Sequence, residues 1–194
     1  MKIGVFGGTF DPPHIAHLII AEFVRQELAL DRILFIPAAM PPHKRDQTIS
    51  APEHRLAMVR LALKGNPAFE VNDLEIRRKG VSYTVDTLEG LKRQRPGDTL
   101  ILLIGEDNLI DFGQWKDPQR ILTLALVVVM TRPGFTGSPH LPTGERITVC
   151  EVPELAIASR SIRERVRDGK SIRYFVPNEV EVYIRTNRLY TRSF

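Results

Sequence analysis

The chain has 194 residues, 43% of them hydrophobic, a single cysteine, and 27 Lys and Arg against 23 Asp and Glu. At ~150 residues per domain the length favours one domain and excludes a large modular assembly, while the apolar content suffices for a core without disulfides. The net charge of +4 suggests an anionic partner, and the basic stretches at 77–79 and 160–173 lack the interleaved aromatics of a single-strand binder, so small anions are favoured over nucleic acid.

A first strand is predicted over 2–6, followed by a glycine turn and a helix over 15–30. A strand at 32–36 leads into a Pro-rich loop at 37–50 and a helix over 52–63. Next come a strand at 69–76, a helix at 84–93, a strand at 100–104 and a helical stretch at 108–122 broken at Pro118. A strand at 125–130, a loop at 132–144 and a strand at 147–152 precede two helices at 161–168 and 177–184. The alternation predicts an α/β fold, Rossmann-like and doubly wound, with a mainly parallel sheet and a ligand crevice at the carboxyl ends of the strands. Residues 1–194 read as one domain with a small helical elaboration at about 153–194. The longest apolar run, 124–130, is too short to cross a bilayer, and the start carries no apolar signal region. A soluble, cytoplasmic protein is expected.

The first strand runs directly into Gly7-Gly8-Thr9-Phe10-Asp11-Pro12-Pro13-His14-Ile15-Ala16-His17. Adjacent glycines let backbone approach a ligand, and the helix N-terminus offers unpaired N–H groups and about half a positive charge, so a phosphate is expected there. His14 and His17 share one face of the first turn, where they can donate to phosphoryl oxygens; the alternative is that they cap the helix or sit in the core. Zinc is disfavoured, because the spacing is not that of zinc proteases and no third ligand lies nearby. The turn is not G-x-G-x-x-G, and Gly169-Lys170-Ser171 lacks the first glycine of a Walker motif.

A second helix start lies in Ile157-Ala158-Ser159-Arg160-Ser161-Ile162-Arg163-Glu164, with Ser161 and Glu164 at capping-box spacing and Ser159 as the other candidate cap. Arg163 then falls in the first turn, where the dipole disfavours a cation unless an anion is brought there. Lys44, in Pro41-Pro42-His43-Lys44, puts a further cation on a stiff loop, and Gly105-Glu106-Asp107 ends a strand where Asp107 is either a ribose acceptor or a helix cap.

Together these motifs resemble the nucleotidyltransferase superfamily with the HxGH and ISSTxIR signatures and, within it, the bacterial nicotinate-mononucleotide adenylyltransferases. The resemblance also takes in Ser82-Tyr83-Thr84-Val85-Asp86-Thr87-Leu88, Trp115, Arg132-Pro133-Gly134 and Tyr174-Phe175-Val176-Pro177. Ala16 stands for the glycine of HxGH, Ala158 and Arg160 for a serine and a threonine of ISSTxIR, and Glu106 where the family has a small residue. The resemblance implies transfer of the adenylyl group of ATP to nicotinate mononucleotide, giving deamido-NAD and pyrophosphate, with Mg²⁺ carried by the triphosphate and no metal site on the protein. His14, His17, Lys44 and Arg163 are the expected catalytic residues. ATP would be held by Gly7, Gly8, Thr9, Phe10, Gly105, Asp107, Ser159 and Ile162, and the mononucleotide by Tyr83, Thr84, Trp115 and Arg132. The partners are then ATP and nicotinate mononucleotide, without nucleic acid or membrane, for a monomer or small homo-oligomer. Phosphopantetheine adenylyl transfer, a nucleotide-sensing module and a His-dependent metal hydrolase are the competing readings.

Overall fold

The computed structural model describes residues 1–41, 49–132 and 146–191. Six apolar segments, β1 (Lys2–Gly8), β2 (Arg32–Pro37), β3 (Phe69–Val71), β4 (Thr99–Gly105), β5 (Leu126–Thr131) and β6 (Ile147–Glu151), form one sheet. The strand order is β3-β2-β1-β4-β5-β6, and every neighbouring pair is parallel. The central strands read as continuous apolar runs because both faces are covered. Alternate residues divide between two cores: Leu100, Leu102 and Ile104 face one side with Val85, Leu88 and Ile121, while Ile101 and Leu103 face the other with Ala21, Val24 and Val59.

The covering helices are α1 (Ile15–Glu27), α2 (Pro52–Ala62), α3 (Leu74–Arg78), α4 (Thr84–Gln94), α5 (Glu106–Ile110) and α6 (Pro118–Leu124), followed by α7 (Ser159–Arg167) and α8 (Asn178–Thr186). The chain leaves β1 for β2 on one side and later returns through β4 on its other side. Crossovers that diverge in this way open a crevice beyond the carboxyl ends of β1 and β4. The fold is the expected doubly wound α/β architecture. A third cluster, in which Met58 and Ala62 of α2 meet Ile162, Val180 and Ile184, fastens α7 and α8 to the outside of the sandwich.

Some elements differ from the reading of the sequence. The strand expected over 69–76 stops at Val71, because Asn72 Oδ1 accepts the N–H of Leu74 and turns the chain into α3. Leu74 then packs under Gly90, where a Cβ would stand 2.9 Å from its methyl group. The stretch at 108–122 is α5, a single 3-10 turn at Phe112–Gln114, and α6. The break falls at Asp117, which takes φ +49° and caps α6 by accepting the N–H of Arg120. Neither serine caps α7: its N-cap is Ala158, so Ser159 is the first helical residue and Arg163 lies beyond the first turn. Among the described residues no helix is long and apolar enough to cross a membrane.

Candidate active site

The crevice holds a cavity of about 610 Å³, lined by Gly7, Gly8 and Thr9 together with Tyr83, Thr84, Gly105 and Trp115. Gly8 has to be glycine, because a Cβ there would stand 2.8 Å from the Phe10 ring. That ring, 2% exposed, packs edge-on against Phe6 and His17, so Phe10 serves the site as a floor and presents no side chain to a ligand.

After the turn the chain enters α1 through His14, its N-cap. The backbone N–H of His14 donates to His17 Nδ1 at 3.1 Å, so the neutral His17 ring carries its proton on Nε2 and is a donor there. The two imidazoles stack with centroids 3.6 Å apart. Burial lowers the pKa of His14 to about 4, and burial together with the neighbouring His14 charge holds His17 well below 6.5. Both rings are therefore neutral near pH 7. His14 Nδ1 is buried without a close hydrogen-bond partner among the described residues, a costly arrangement for a polar atom. The histidines thus combine the two roles weighed from sequence: they form the helix cap and also keep unspent hydrogen-bonding capacity.

The turn is held from several directions. Arg55, 1% exposed, donates to the carbonyls of Thr9, Ala38, Ala39 and Ser50, joining three chain segments around the rim. Asp11, 3% exposed, accepts the N–H of Ser50 at 3.1 Å and the hydroxyl of Tyr190 at 2.6 Å. Arg163 donates to the Asp11 carbonyl at 2.7 Å and Ser159 Oγ to the Pro12 carbonyl at 2.8 Å. Ser159 and Arg163 therefore lie beside the turn, and both side chains donate to backbone oxygen there.

On the far side, Tyr83 is the N-cap of α4 and Thr84 its first residue, so the helix N-terminus opens on the cavity. Trp115 lines the same cavity, tilted against Phe112 at 5.4 Å, with its Nε1 buried and without a hydrogen-bond partner among the described residues. Lys116 pairs with Asp86 at 2.9 Å and lies 4.9 Å from the Tyr83 ring. Glu75 also lines the cavity, and burial raises the pKa of its carboxyl against the opposing hydrogen bonds from Ser82 and Thr87.

Of the expected residues, Gly7, Gly8, Thr9, Gly105, Tyr83, Thr84 and Trp115 share one cavity, with His14, His17, Ser159 and Arg163 grouped around the adjoining turn. Ile162 is fully buried in the third core cluster and acts by packing. Asp107 is exposed in the first turn of α5, whose N-cap is Gly105, so it is not the cap. Arg132 is exposed just past β5, its guanidinium 3.9 Å from Glu154. Lys44 lies outside the described residues. Arg55, Asp11, Glu75 and Tyr190 were not anticipated; Asp11 stood inside a motif already singled out, whereas a buried arginine in α2 and a tyrosine near residue 190 carry no local signal.

The cytidylyltransferase-like family model matches residues 5–189. The chain is 46% identical to a probable nicotinate-nucleotide adenylyltransferase of Thermomicrobium roseum, over 97% of this chain and 91% of that protein. It is 45% identical to the one of Geobacter sulfurreducens over the whole of both chains. Among solved structures, Plasmodium falciparum nicotinic acid mononucleotide adenylyltransferase complexed with NaAD superposes with a TM-score of 0.80 at 19% identity, covering 97% of each chain. The solved structure shares the fold, and all three matches cover more than nine-tenths of both chains.

Proposed function

The chain belongs to the nicotinate-nucleotide adenylyltransferases of the cytidylyltransferase-like family, and from that premise we propose how its residues move an adenylyl group from ATP to nicotinate mononucleotide, releasing pyrophosphate and deamido-NAD. The observation that carries the reading is a crevice lined by the glycine turn, an indole and a helix N-terminus, with a neutral histidine pair stacked just beyond that turn.

The attacking group is the phosphate monoester of the mononucleotide, whose second pKa of ~6 leaves it anionic near pH 7. No general base is needed, and the task is to align two anions and stabilise charge growing on the α-phosphate and the departing pyrophosphate. His17 donates from Nε2, and His14 supplies the second imidazole. Neutral rings suit this work, since they bind a triphosphate as donors and gain a proton only as negative charge accumulates beside them. Arg163 exchanges the Asp11 carbonyl for a phosphate oxygen when ATP arrives, with Lys44 adding a further cation. Gly7, Gly8 and Thr9 bring backbone to the triphosphate, and Gly105, Asp107 and Ser159 contact the remainder of ATP. Phe10 and Ile162 support that surface from beneath. Mg²⁺ enters as part of the MgATP substrate.

For the acceptor, Trp115 offers a face for the pyridine ring, and the α4 N-terminus at Tyr83 and Thr84 offers N–H donors to its carboxylate. An amide there leaves a donor facing a donor, which costs ~1–3 kcal/mol and favours the acid over the amide. Arg132 approaches from the end of β5 toward the mononucleotide phosphate. We take residues 1–194 as one nucleotidyltransferase domain, acting in the cytoplasm on small nucleotides as a monomer or small homo-oligomer. The test offers the purified protein ATP and Mg²⁺ with nicotinate mononucleotide, nicotinamide mononucleotide or phosphopantetheine, and measures pyrophosphate and adduct. Rapid release with the first is expected; release only with phosphopantetheine, or with none, overturns the reading.

A further inference from the structure

Residues 11–15, which carry the chain from the glycine turn to the histidine pair, are tied by hydrogen bonds to four residues of the C-terminal helical region. Tyr190 Oη donates to Asp11 Oδ1 at 2.6 Å, Arg163 to the Asp11 carbonyl, and Ser159 to the Pro12 carbonyl, while the first N–H of α1, from Ile15, donates to the Phe175 carbonyl at 2.9 Å. Of these, the Tyr190 bond is the only one made by a side chain to a side chain, and it spans 179 positions of sequence. Pro12 and Pro13 fix two consecutive φ angles between Asp11 and His14, so a displacement of Asp11 passes along the segment with little local absorption.

We propose that Tyr190 is a positioning residue for adenylyl transfer: by donating to the buried Asp11 carboxylate it sets the segment that fixes the orientation of His14 and His17. Burial and the Asp11 charge push the phenol pKa upward, so Tyr190 is a constant donor across the working pH range. Its backbone takes φ +63°, a conformation rare outside glycine, which aims the ring back under α2, where Oη also lies 3.9 Å from Met58 Sδ. Among the described residues the Asp11 carboxylate is otherwise met by the Ser50 N–H, so the loss of Tyr190 leaves one oxygen short of a donor in a buried place. The helical region is in this way part of the catalytic apparatus.

The proposal rests on the adenylyl-transfer reading, and its test has one arm that does not. Tyr190→Phe removes only the hydroxyl. We expect kcat to fall about tenfold at 25 °C with KM for nicotinate mononucleotide unchanged, because the mononucleotide wall lies at the other end of the cavity. In the unliganded protein the imidazole ¹⁵N resonances of His14 and His17 should shift, a readout that stands even if no pyrophosphate is formed by the wild type. Tyr190→Phe added to Asp11→Ala should cause no further loss, since both act through one bond. A Tyr190→Phe protein with a lower Tm but unchanged kcat and unchanged imidazole resonances, or a multiplicative loss in the double variant, overturns the proposal.

Discussion

The imidazoles of His14 and His17 lie face to face, centroids 3.6 Å apart and planes 25° from parallel, and the His17 ring closes the backbone N–H of His14 at 3.1 Å. Two rings at that distance cannot both hold a charge cheaply, and burial takes charge away from each. The pair is consequently a neutral donor surface whose affinity for protons rises only when a polyanion lies against it.

Replacing His17 by Ala should lower kcat by about 10²–10³, the usual cost of losing one donor to developing charge, while unfolding free energy falls by only ~1 kcal/mol for the lost cap. Steady-state pyrophosphate release and urea unfolding on the same preparation check both parts. Near-normal turnover would remove His17 from the chemistry.

The depressed histidine pKa makes stability depend on pH with a definite sign. Below pH 6.5 the unfolded chain protonates this histidine, whereas native His14 resists to about 4, so the unfolded state binds more protons and stability falls as the pH drops. From pH 7.5 to 5 the loss from His14 alone should be about 2 kcal/mol, with a further loss of the same sign from His17. Urea titrations of wild type and His14→Gln at both pH values measure it; equal slopes in the two proteins would contradict the assignment.

Trp115→Ala should raise KM for nicotinate mononucleotide roughly tenfold, from a lost stacking surface of about 1–3 kcal/mol, and leave KM for ATP within about twofold. Trp115→Phe should recover much of the difference. An effect confined to ATP would put the indole in the other half of the site.

Arg55→Ala should destabilise the fold by about 3–5 kcal/mol, since it leaves the carbonyls of Thr9, Ala38, Ala39 and Ser50 without that donor and takes one cation from beside the Asp11 carboxylate. Chemical denaturation gives the value directly. A loss below about 1 kcal/mol would mean that water replaces the guanidinium.

Much of the fold was legible because its signals are local. The both-face burial of β1, β4 and β5 writes itself as unbroken apolar runs, and the glycine turn before His14 sits where strand gives way to helix. The failures came from competing side-chain hydrogen bonds, two of them local and one across 147 positions. At 72–74 a side-chain turn from Asn72 outcompeted strand continuation, and at 158–161 both serine hydroxyls found carbonyls, Ser159 on Pro12 and Ser161 on Ala158, so neither served as cap.

By itself the sequence determined the α/β alternation, the glycine turn with its two histidines, and a family resemblance dense enough to name the reaction, because each of these is carried by neighbours along the chain. Only the tertiary structure decided that Trp115 and the α4 N-terminus face the glycine turn across one cavity, that Phe10 and Ile162 are supports, and that Arg55 and Tyr190 hold the turn in place. Those relations join residues tens to nearly two hundred positions apart, as the 179-residue span from Asp11 to Tyr190 shows. What selects them is the burial of charge and carbonyl oxygen when the sheet and its C-terminal helices pack together.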